Sequence, residues 1–243
     1  MTAQAGKTAV IIGAGPGLGL SMARRFGREG YVPALVSRSA ARHDAYLASL
    51  AGDGIDAGSF TADVRDQVQI RSALEAIANR YGTVDLLYYG PATVDPAALP
   101  KPITETTPAA VREAMSWVYP AIDIAAQVLP EMTGRGSGGL LFAGGLSAIH
   151  PVPALGALAV SSAALRNYAL TLNAGLADTG VYAGTLTIGG LIERGDIHRF
   201  VTSQPGQFSE APIASLNPDE IADAAWDLYS RRDRAEATFS TLG

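Results

Sequence analysis

A glycine-rich stretch near the amino terminus has the composition of a phosphate-binding turn. It joins an apolar run at 8–12 to a helical pattern, and its members are Gly13, Gly15, Gly17, Leu18 and Gly19. Glycines let the backbone approach a diphosphate closely, and the free N–H groups at the start of the following helix stabilise its charge. These residues therefore predict a strand, a turn and a helix that bind a dinucleotide.

A second candidate site follows the next apolar run, at 32–36, which ends in Ser37 and Arg38. In a doubly wound fold the adenosine ribose binds at this strand end, where a carboxylate favours NAD(H) and an arginine accommodates the 2′-phosphate of NADP(H). Arg38, assisted by the Ser37 hydroxyl, therefore predicts a preference for NADP(H) over NAD(H). The alternative is that Arg38 is a solvated loop residue.

Residues for metal or thiol chemistry are scarce. The chain contains no cysteine, which excludes disulfides, thiolate catalysis and cysteine-ligated zinc. Its three histidines, His43, His150 and His198, are too scattered in the sequence to indicate a metal site. We therefore expect no metal.

The elements that must position these residues alternate between strands and helices. Apolar runs predict seven strands, at 8–12, 32–36, 55–61, 84–88, 140–143, 181–187 and 237–240. Helical patterns begin near 17 and lie at 40–50, 67–81, 108–132, 154–177 and 217–231, with Asp66 as the cap of the third and a break near Pro120 in the fourth. This alternation predicts an α/β protein with one domain, 1–243, and a doubly wound Rossmann fold around a mostly parallel seven-stranded sheet.

Composition narrows the range of partners. Hydrophobic residues make up 48% of the chain and charged residues 17%, as in compact globular proteins. The net charge of −5 and the lack of a lysine- or arginine-rich run argue against nucleic acid. The first residues lack the regions of a signal peptide, and no apolar run is long enough to span a membrane. We expect a cytoplasmic protein with a small-molecule substrate and neither a membrane nor a nucleic-acid partner.

The spacing Gly13-x-x-x-Gly17-x-Gly19, with the strand–helix alternation that follows, resembles the short-chain dehydrogenase/reductase family over nearly the whole chain. The resemblance implies further cofactor contacts. It assigns Asp63 and Val64 to the adenine and Gly90 to the turn after the fourth strand. It assigns Gly190 and Ile192 to the nicotinamide. It also implies a homodimer or homotetramer, in which the two long helices pair with their copies.

The same resemblance implies a catalytic set that this sequence lacks. The family uses a tyrosine as proton donor, a lysine four residues later, an earlier serine and an asparagine on a long helix. The aligned positions hold Leu158, Ser162, Gly145 and Ala114. Neither of the two lysines, Lys7 and Lys101, lies on the helix of the motif. Without a nearby ammonium, a tyrosine has a pKa of about 10 and is a poor base at neutral pH.

Four other side chains are candidates for the missing proton donor: Ser147, His150, Tyr89 and Tyr119. Ser147 lies two residues beyond Gly145 and on the same face of an extended chain. Histidines titrate near neutrality, and phenols donate protons. Because adjacent strand residues face opposite ways, only one of Tyr88 and Tyr89 is expected to face the site. The alternatives are a turn serine, a solvated loop histidine and packing aromatics.

A long polar segment at 193–216 is predicted to be a substrate lid, since long connections in compact domains often are. We therefore favour an atypical NADP(H)-dependent reductase of a small carbonyl, imine or activated alkene, in which a group outside the family's set, or water, supplies the proton. Two alternatives stay open. One is a catalytically silent relative that keeps the nucleotide site as a sensor or scaffold, and the other is a cyclase, lyase or isomerase in which the nucleotide is structural.

Overall fold

A parallel sheet lies at the centre of the molecule, of which the computed structural model describes residues 6–92, 99–204 and 214–240. Its strands are β1 (Lys7–Ile12), β2 (Tyr31–Ser37), β3 (Gly58–Thr61), β4 (Val84–Tyr89), β5 (Gly138–Gly145), β6 (Val181–Gly189) and β9 (Glu236–Ser240). A separate parallel pair consists of β7 (Leu191–Ile192) and β8 (Ser215–Leu216). The seven strands are ordered β3-β2-β1-β4-β5-β6-β9 and pair in parallel throughout, so the predicted fold class is confirmed.

Helices cover both faces of this sheet. One face carries α1 (Leu18–Arg28), α2 (His43–Gly52) and α8 (Pro218–Arg231), and the other carries α3 (Gln67–Tyr81), α4 (Pro108–Met115), α5 (Tyr119–Gly134) and α6 (Gly156–Gly175). α7 (Asp196–Thr202) lies in the connection between β7 and β8. Because both faces are covered, residues 9–12 of β1 are at most 1% exposed, which explains their uniformly apolar character. Within the described ranges, no helix combines the length and apolarity that a membrane span requires.

Several element boundaries refine the sequence prediction. β3 begins at Gly58 rather than near Ile55, whose side chain is buried in the core instead. The helix expected at 108–132 is two helices, interrupted at 116–118. Pro120 lies in the first turn of α5, where the missing N–H removes no helical hydrogen bond, so it starts a helix rather than breaking one.

The crevice for a ligand is set by the point where the sheet order changes direction, between β1 and β4. Backbone hydrogen bonds fix the chain just beyond these strands. The Gly13 N–H donates to the Val36 carbonyl and the Gly90 N–H donates to the Ile12 carbonyl, each at 3.0 Å. The carboxyl ends of β1, β2 and β4 therefore meet at one edge of the sheet.

Candidate functional site

The glycine turn lies over the ends of β1 and β4. Gly13 has a φ of +93°, and a Cβ there would lie 2.5 Å from the Gly90 carbonyl oxygen, so no other residue fits without strain. At Gly15, by contrast, the nearest atom to an added Cβ is the Gly13 carbonyl oxygen, at 3.9 Å. Gly17 caps α1 without a side-chain hydrogen bond, and the first turn of α1 contains no acidic residue. The open space at Gly15 and the N–H groups of α1 therefore suit an anionic ligand.

A cavity of about 460 Å³, here called the central cavity, lies beside this turn at the ends of β4, β5 and β6. The predicted cofactor residues that line it are Gly13, Gly15, Gly17, Leu18, Gly19, Gly90, Gly190 and Ile192. Of the predicted proton donors, Tyr89 and Ser147 line it too. His150 and Tyr119 are exposed and are not among the described residues that line it.

A second cavity of about 360 Å³, here called the flanking cavity, adjoins the central cavity and shares Gly13 and Gly15 with it. Ser37, Arg38 and Val64 line it, as the cofactor assignment requires. Asp63 is outside its described lining, and the Asp63 carboxylate accepts a hydrogen bond from the Arg65 N–H at 3.0 Å. The two cavities thus form one continuous cleft across the glycine turn.

The Ser37 hydroxyl at the flanking cavity is oriented by a histidine that the sequence did not single out. His43 is only 5% exposed, and its Nε2 lies 2.7 Å from Ser37 Oγ. Burial lowers the pKa of His43, which favours the neutral imidazole. His43 follows Ser37 by six residues, and nothing in the local sequence pattern shows that the two side chains meet.

The two tyrosines at the end of β4 both border the central cavity, so the expectation that only one would do so is wrong. Their rings lie in separate core clusters on opposite faces of the sheet, as strand alternation requires, but both are large enough to reach its edge. Burial raises the pKa of both phenols. The Tyr89 hydroxyl donates to the Trp117 carbonyl at 2.6 Å, which holds its proton inside the protein.

The four positions aligned with the family's catalytic set come together. Ala114, Gly145, Leu158 and Ser162 all line the central cavity. Ser147, in a short 3-10 helix after β5, lies beside them. Lys7 and Lys101 are not among the described residues that line this cavity, and the Lys7 ammonium lies 5.7 Å from the Tyr31 ring centroid instead.

The described part of the segment 193–216 lies over the junction of the two cavities. Asp196, at the start of α7, lines both of them. The Asp196 carboxylate accepts two hydrogen bonds from the Arg42 guanidinium, at 2.8 and 3.0 Å, and also pairs with Arg199. The bond from Arg42 is the main cause that holds the pKa of Asp196 below its usual value. Sequence analysis missed this ion pair because its partners are 154 residues apart.

Two further expectations concern a metal site and the predicted lid. Among the residues that the structure describes, no group of three or more His, Asp or Glu side chains could hold a metal ion. The part of the predicted lid at 205–213 lies outside the described residues. The charged side chains in the described lining of the two cavities are Arg38, Arg42 and Asp196.

The chain belongs to the short-chain dehydrogenase family of oxidoreductases, whose family model matches residues 7–194. The uncharacterized oxidoreductase UxuB of Bacillus subtilis (strain 168) is 26% identical over 217 residues, which are 84% of this chain and 78% of that protein. The L-sorbose reductase of Gluconobacter frateurii, complexed with NADPH and L-sorbose, has the same fold, with a TM-score of 0.79 and 22% identity over 98% of this chain and 96% of that one.

A second solved structure with this fold is the apo short-chain oxidoreductase of Pseudomonas aeruginosa PAO1, which is described as containing an atypical catalytic center. Its TM-score is 0.82 at 21% identity, over 98% of this chain and 97% of that one. The seven-stranded Rossmann-like architecture is therefore shared along nearly the full length of both solved structures.

Proposed function

We propose that the chain binds NADP(H) in preference to NAD(H) and reduces a small carbonyl, imine or activated alkene without the family's tyrosine–lysine pair. One observation carries this proposal. The glycine turn joins two cavities, of which one contains Ser37 and Arg38 and the other contains all four positions of the catalytic set. The NADPH-bound L-sorbose reductase, which has the same fold, supports the choice of cofactor.

The residues present fit this cofactor. Gly15 lines both cavities, and a Cβ added there would have no neighbour closer than 3.9 Å, which leaves room for a diphosphate at the N–H groups of α1. Arg38 and Ser37 would hold the 2′-phosphate, and Val64, with Asp63 beside it, would contact the adenine. The remaining contacts, to the nicotinamide, would come from Gly90, Gly190 and Ile192. When bound, the cofactor supplies the hydride.

The proton would come from water or from a hydroxyl group. The titratable residues in the described lining of the central cavity are Asp196, Tyr88 and Tyr89. Asp196 is engaged by Arg42, and the Tyr89 hydroxyl is engaged by the Trp117 carbonyl. What the chain itself contributes is orientation of the reactants, which accounts for much of the rate of a hydride transfer. The Pseudomonas relative with an atypical catalytic center supports the view that this fold tolerates such a site.

The segment 193–216 serves in this proposal as a lid, because Asp196 lies over both cavities.

The assembly is a homodimer or homotetramer. Exposed apolar side chains on α5 and α6 support it, with Tyr119, Ile122 and Val160 at 53%, 39% and 41% exposure. The single-domain organisation and the cytoplasmic location stay predictions. Light scattering of the purified protein measures the assembly directly.

The experiment that tests the function has two stages. Calorimetric titration with NADPH and NADH measures whether the nucleotide binds and which form is preferred. Loss of NADPH absorbance is then followed with a panel of aldehydes, ketones, imines and activated alkenes. Binding followed by consumption supports the reductase. Binding without consumption of any compound favours the catalytically silent alternative, and failure to bind either nucleotide contradicts the proposal.

A further inference from the structure

Two serine hydroxyls converge where the family's catalytic serine would stand. A Cβ added at Gly145 would lie 3.2 Å from Ser162 Oγ and 3.4 Å from Ser147 Oγ. Ser147 reaches this point from the 3-10 helix after β5, and Ser162 reaches it from α6. Both line the central cavity, and neither hydroxyl is hydrogen-bonded to another residue in the described ranges.

Two hydroxyls that lie this close to one point beside Gly145 can donate to the same ligand oxygen. Each can donate one hydrogen bond, and no side chain at Gly145 blocks the approach to them. The wall around them is mainly apolar and includes Leu155, Leu158 and Leu165. Hydrogen bonds from fixed donors in such surroundings stabilise negative charge on oxygen more than they would in water. A serine hydroxyl is, however, a far weaker acid than the phenol of the family's tyrosine, so it is a poor general acid at neutral pH.

We propose that Ser147 and Ser162 form a two-hydroxyl site that binds the carbonyl oxygen of a conjugated carbonyl compound and stabilises the enolate formed on its reduction. This inference rests on the proposed reductase function and narrows its substrate class. Hydride addition to the β-carbon forms a C–H bond while the C=C π pair moves to join the α-carbon to the carbonyl carbon, and the C=O π pair moves onto the oxygen, which gives the enolate. Water then protonates the α-carbon, the C=O bond forms again and hydroxide leaves. The hydride comes from NADPH, which is oxidised to NADP⁺.

The choice of a conjugated substrate follows from what the two hydroxyls can and cannot do. Reduction of a simple ketone places the charge on one alkoxide oxygen, a strong base that needs an acid such as the family's tyrosine. Reduction of a conjugated carbonyl compound spreads the charge over oxygen and carbon, and this weaker base needs only hydrogen-bond donors until water protonates it. The central cavity offers donors of this second kind at Ser147 and Ser162.

The binding test uses 4-nitrophenol, whose phenolate mimics an enolate and whose visible absorbance reports its ionisation. We expect the protein to bind the phenolate form and to lower its apparent pKa. Ser147→Ala and Ser162→Ala should each weaken binding about tenfold, the effect of losing a hydrogen bond to a charged group. Ser161→Ala is the matched control, because the Ser161 hydroxyl already donates to the Leu158 carbonyl at 3.1 Å. Binding unaffected by either serine, weakened equally by Ser161→Ala, or undetectable would overturn the site.

A second variant removes the space rather than the donors. Gly145→Ala places a methyl group within 3.4 Å of both hydroxyl oxygens, and the φ of −93° at this position accommodates alanine. We expect this change to weaken phenolate binding at least as much as either serine variant while NADPH binding and thermal stability stay near the parent values. A folded Gly145→Ala protein that binds phenolate as well as the parent would show that the oxygen lies elsewhere.

Two further arms separate this inference from the proposed function. Phenolate titrations are run with and without NADP⁺, so serine-dependent binding without any NADP⁺ affinity would support the oxygen site and contradict the cofactor. NADP⁺ binding together with phenolate binding that neither serine variant changes would support the cofactor and contradict the oxygen site. Turnover is compared between 2-cyclohexenone and cyclohexanone, with at least tenfold higher kcat/KM expected for the enone. Preference for the saturated ketone, or consumption of neither compound, would overturn the substrate class.

Discussion

The two sides of the cleft are built from different kinds of residues. The adenosine side, at the ends of β1 and β2, combines a backbone turn that requires glycine at Gly13 with the polar side chains of Ser37, Arg38 and the buried His43. The central side, at the ends of β4 to β6, is lined mainly by apolar side chains, glycines and the hydroxyls of Ser147 and Ser162. The adenosine side offers polar and charged side chains, whereas the central side offers shape, the N–H groups at the start of α1 and the two neutral hydroxyls.

This difference follows from the two tasks that the proposed reaction sets. A cofactor with phosphate groups needs N–H groups and a cation at fixed places, and small displacements of either reduce affinity. Hydride transfer needs orientation first, and the proton can arrive from water where the anion formed is weakly basic. The comparison therefore predicts that changes on the adenosine side affect cofactor affinity, and that changes on the central side affect turnover and substrate choice.

The largest expected effect comes from the turn itself. Gly13→Ala should destabilise the fold by about 3 kcal/mol, because a Cβ at φ +93° would also collide with the Gly90 carbonyl. Urea unfolding measures this loss. Gly15→Ala is the matched control, since its Cβ meets open space, and it should weaken NADPH binding while stability changes little. Equal destabilisation by both changes would contradict the assignment of Gly15 to ligand contact.

Restoring the family's catalytic groups would test the central side. The triple variant Gly145→Ser, Leu158→Tyr and Ser162→Lys should raise kcat/KM for a simple ketone at least about 100-fold, the usual contribution of a positioned general acid. The same protein should lose preference for the enone, because Ser162 is gone. Phenylalanine in place of tyrosine at 158 is the control, since it lacks the phenol. An equal gain in kcat/KM with tyrosine and with phenylalanine would mean that the shape of the cavity, not proton transfer, limits turnover in the parent protein.

The next effect in size belongs to cofactor choice. Arg38→Asp should weaken NADPH binding roughly 10- to 100-fold, the range for a hydrogen bond to a charged group, and should change NADH binding far less. Arg71→Asp, on the exposed side of α3, makes the same change in net charge away from the cleft and should leave both affinities intact. Equal losses of affinity for NADPH and NADH would contradict the assignment of Arg38 to the 2′-phosphate.

Local signals explain which parts of this picture could be predicted from the sequence. Apolar runs predicted all seven strands of the sheet. Asp66 caps α3, as expected, by accepting hydrogen bonds from the Val68 and Gln69 N–H groups. The parallel order follows from strand–helix alternation, since crossover helices need parallel strands. The glycine spacing located the turn, because Gly13 has a positive φ and a Cβ at Gly19 would collide with the nearby Gly13 carbonyl oxygen.

Contacts between distant parts of the chain could not be predicted in this way. Nothing in the sequence near Ser162 shows that its hydroxyl and that of Ser147 both lie beside Gly145, the position that aligns with the family's serine. His150 was a plausible base by chemistry, but the turn after β5 leaves it exposed. Which side chain a turn directs into a cavity depends on its backbone angles, and these are determined by packing that sequence periodicity does not describe.

The smallest expected effect concerns the contact that joins the two sides. Arg42 follows β2 on the adenosine side, and Asp196 begins α7 over the central cavity. Arg42→Gln should reduce stability at pH 7 by about 0.5 kcal/mol, the usual value for an exposed ion pair, and high salt should reduce the difference. Urea unfolding measures both. Arg199→Gln is the control, because Arg199 pairs with Asp196 within α7 and does not join the two sides.

The pH dependence of the same variant tests the cause. Arg42 lowers the pKa of Asp196 in the folded protein, so the pair contributes stability above the unfolded value of about 4 and loses it as pH falls through the lower folded value. The difference in stability between the parent and Arg42→Gln should therefore shrink only as the pH falls below about 4 and through the pKa of Asp196 in the folded protein. A difference that does not shrink at any acidic pH at which both proteins stay folded would mean that Arg42 stabilises α7 through packing, so that packing rather than charge joins the two sides of the cleft.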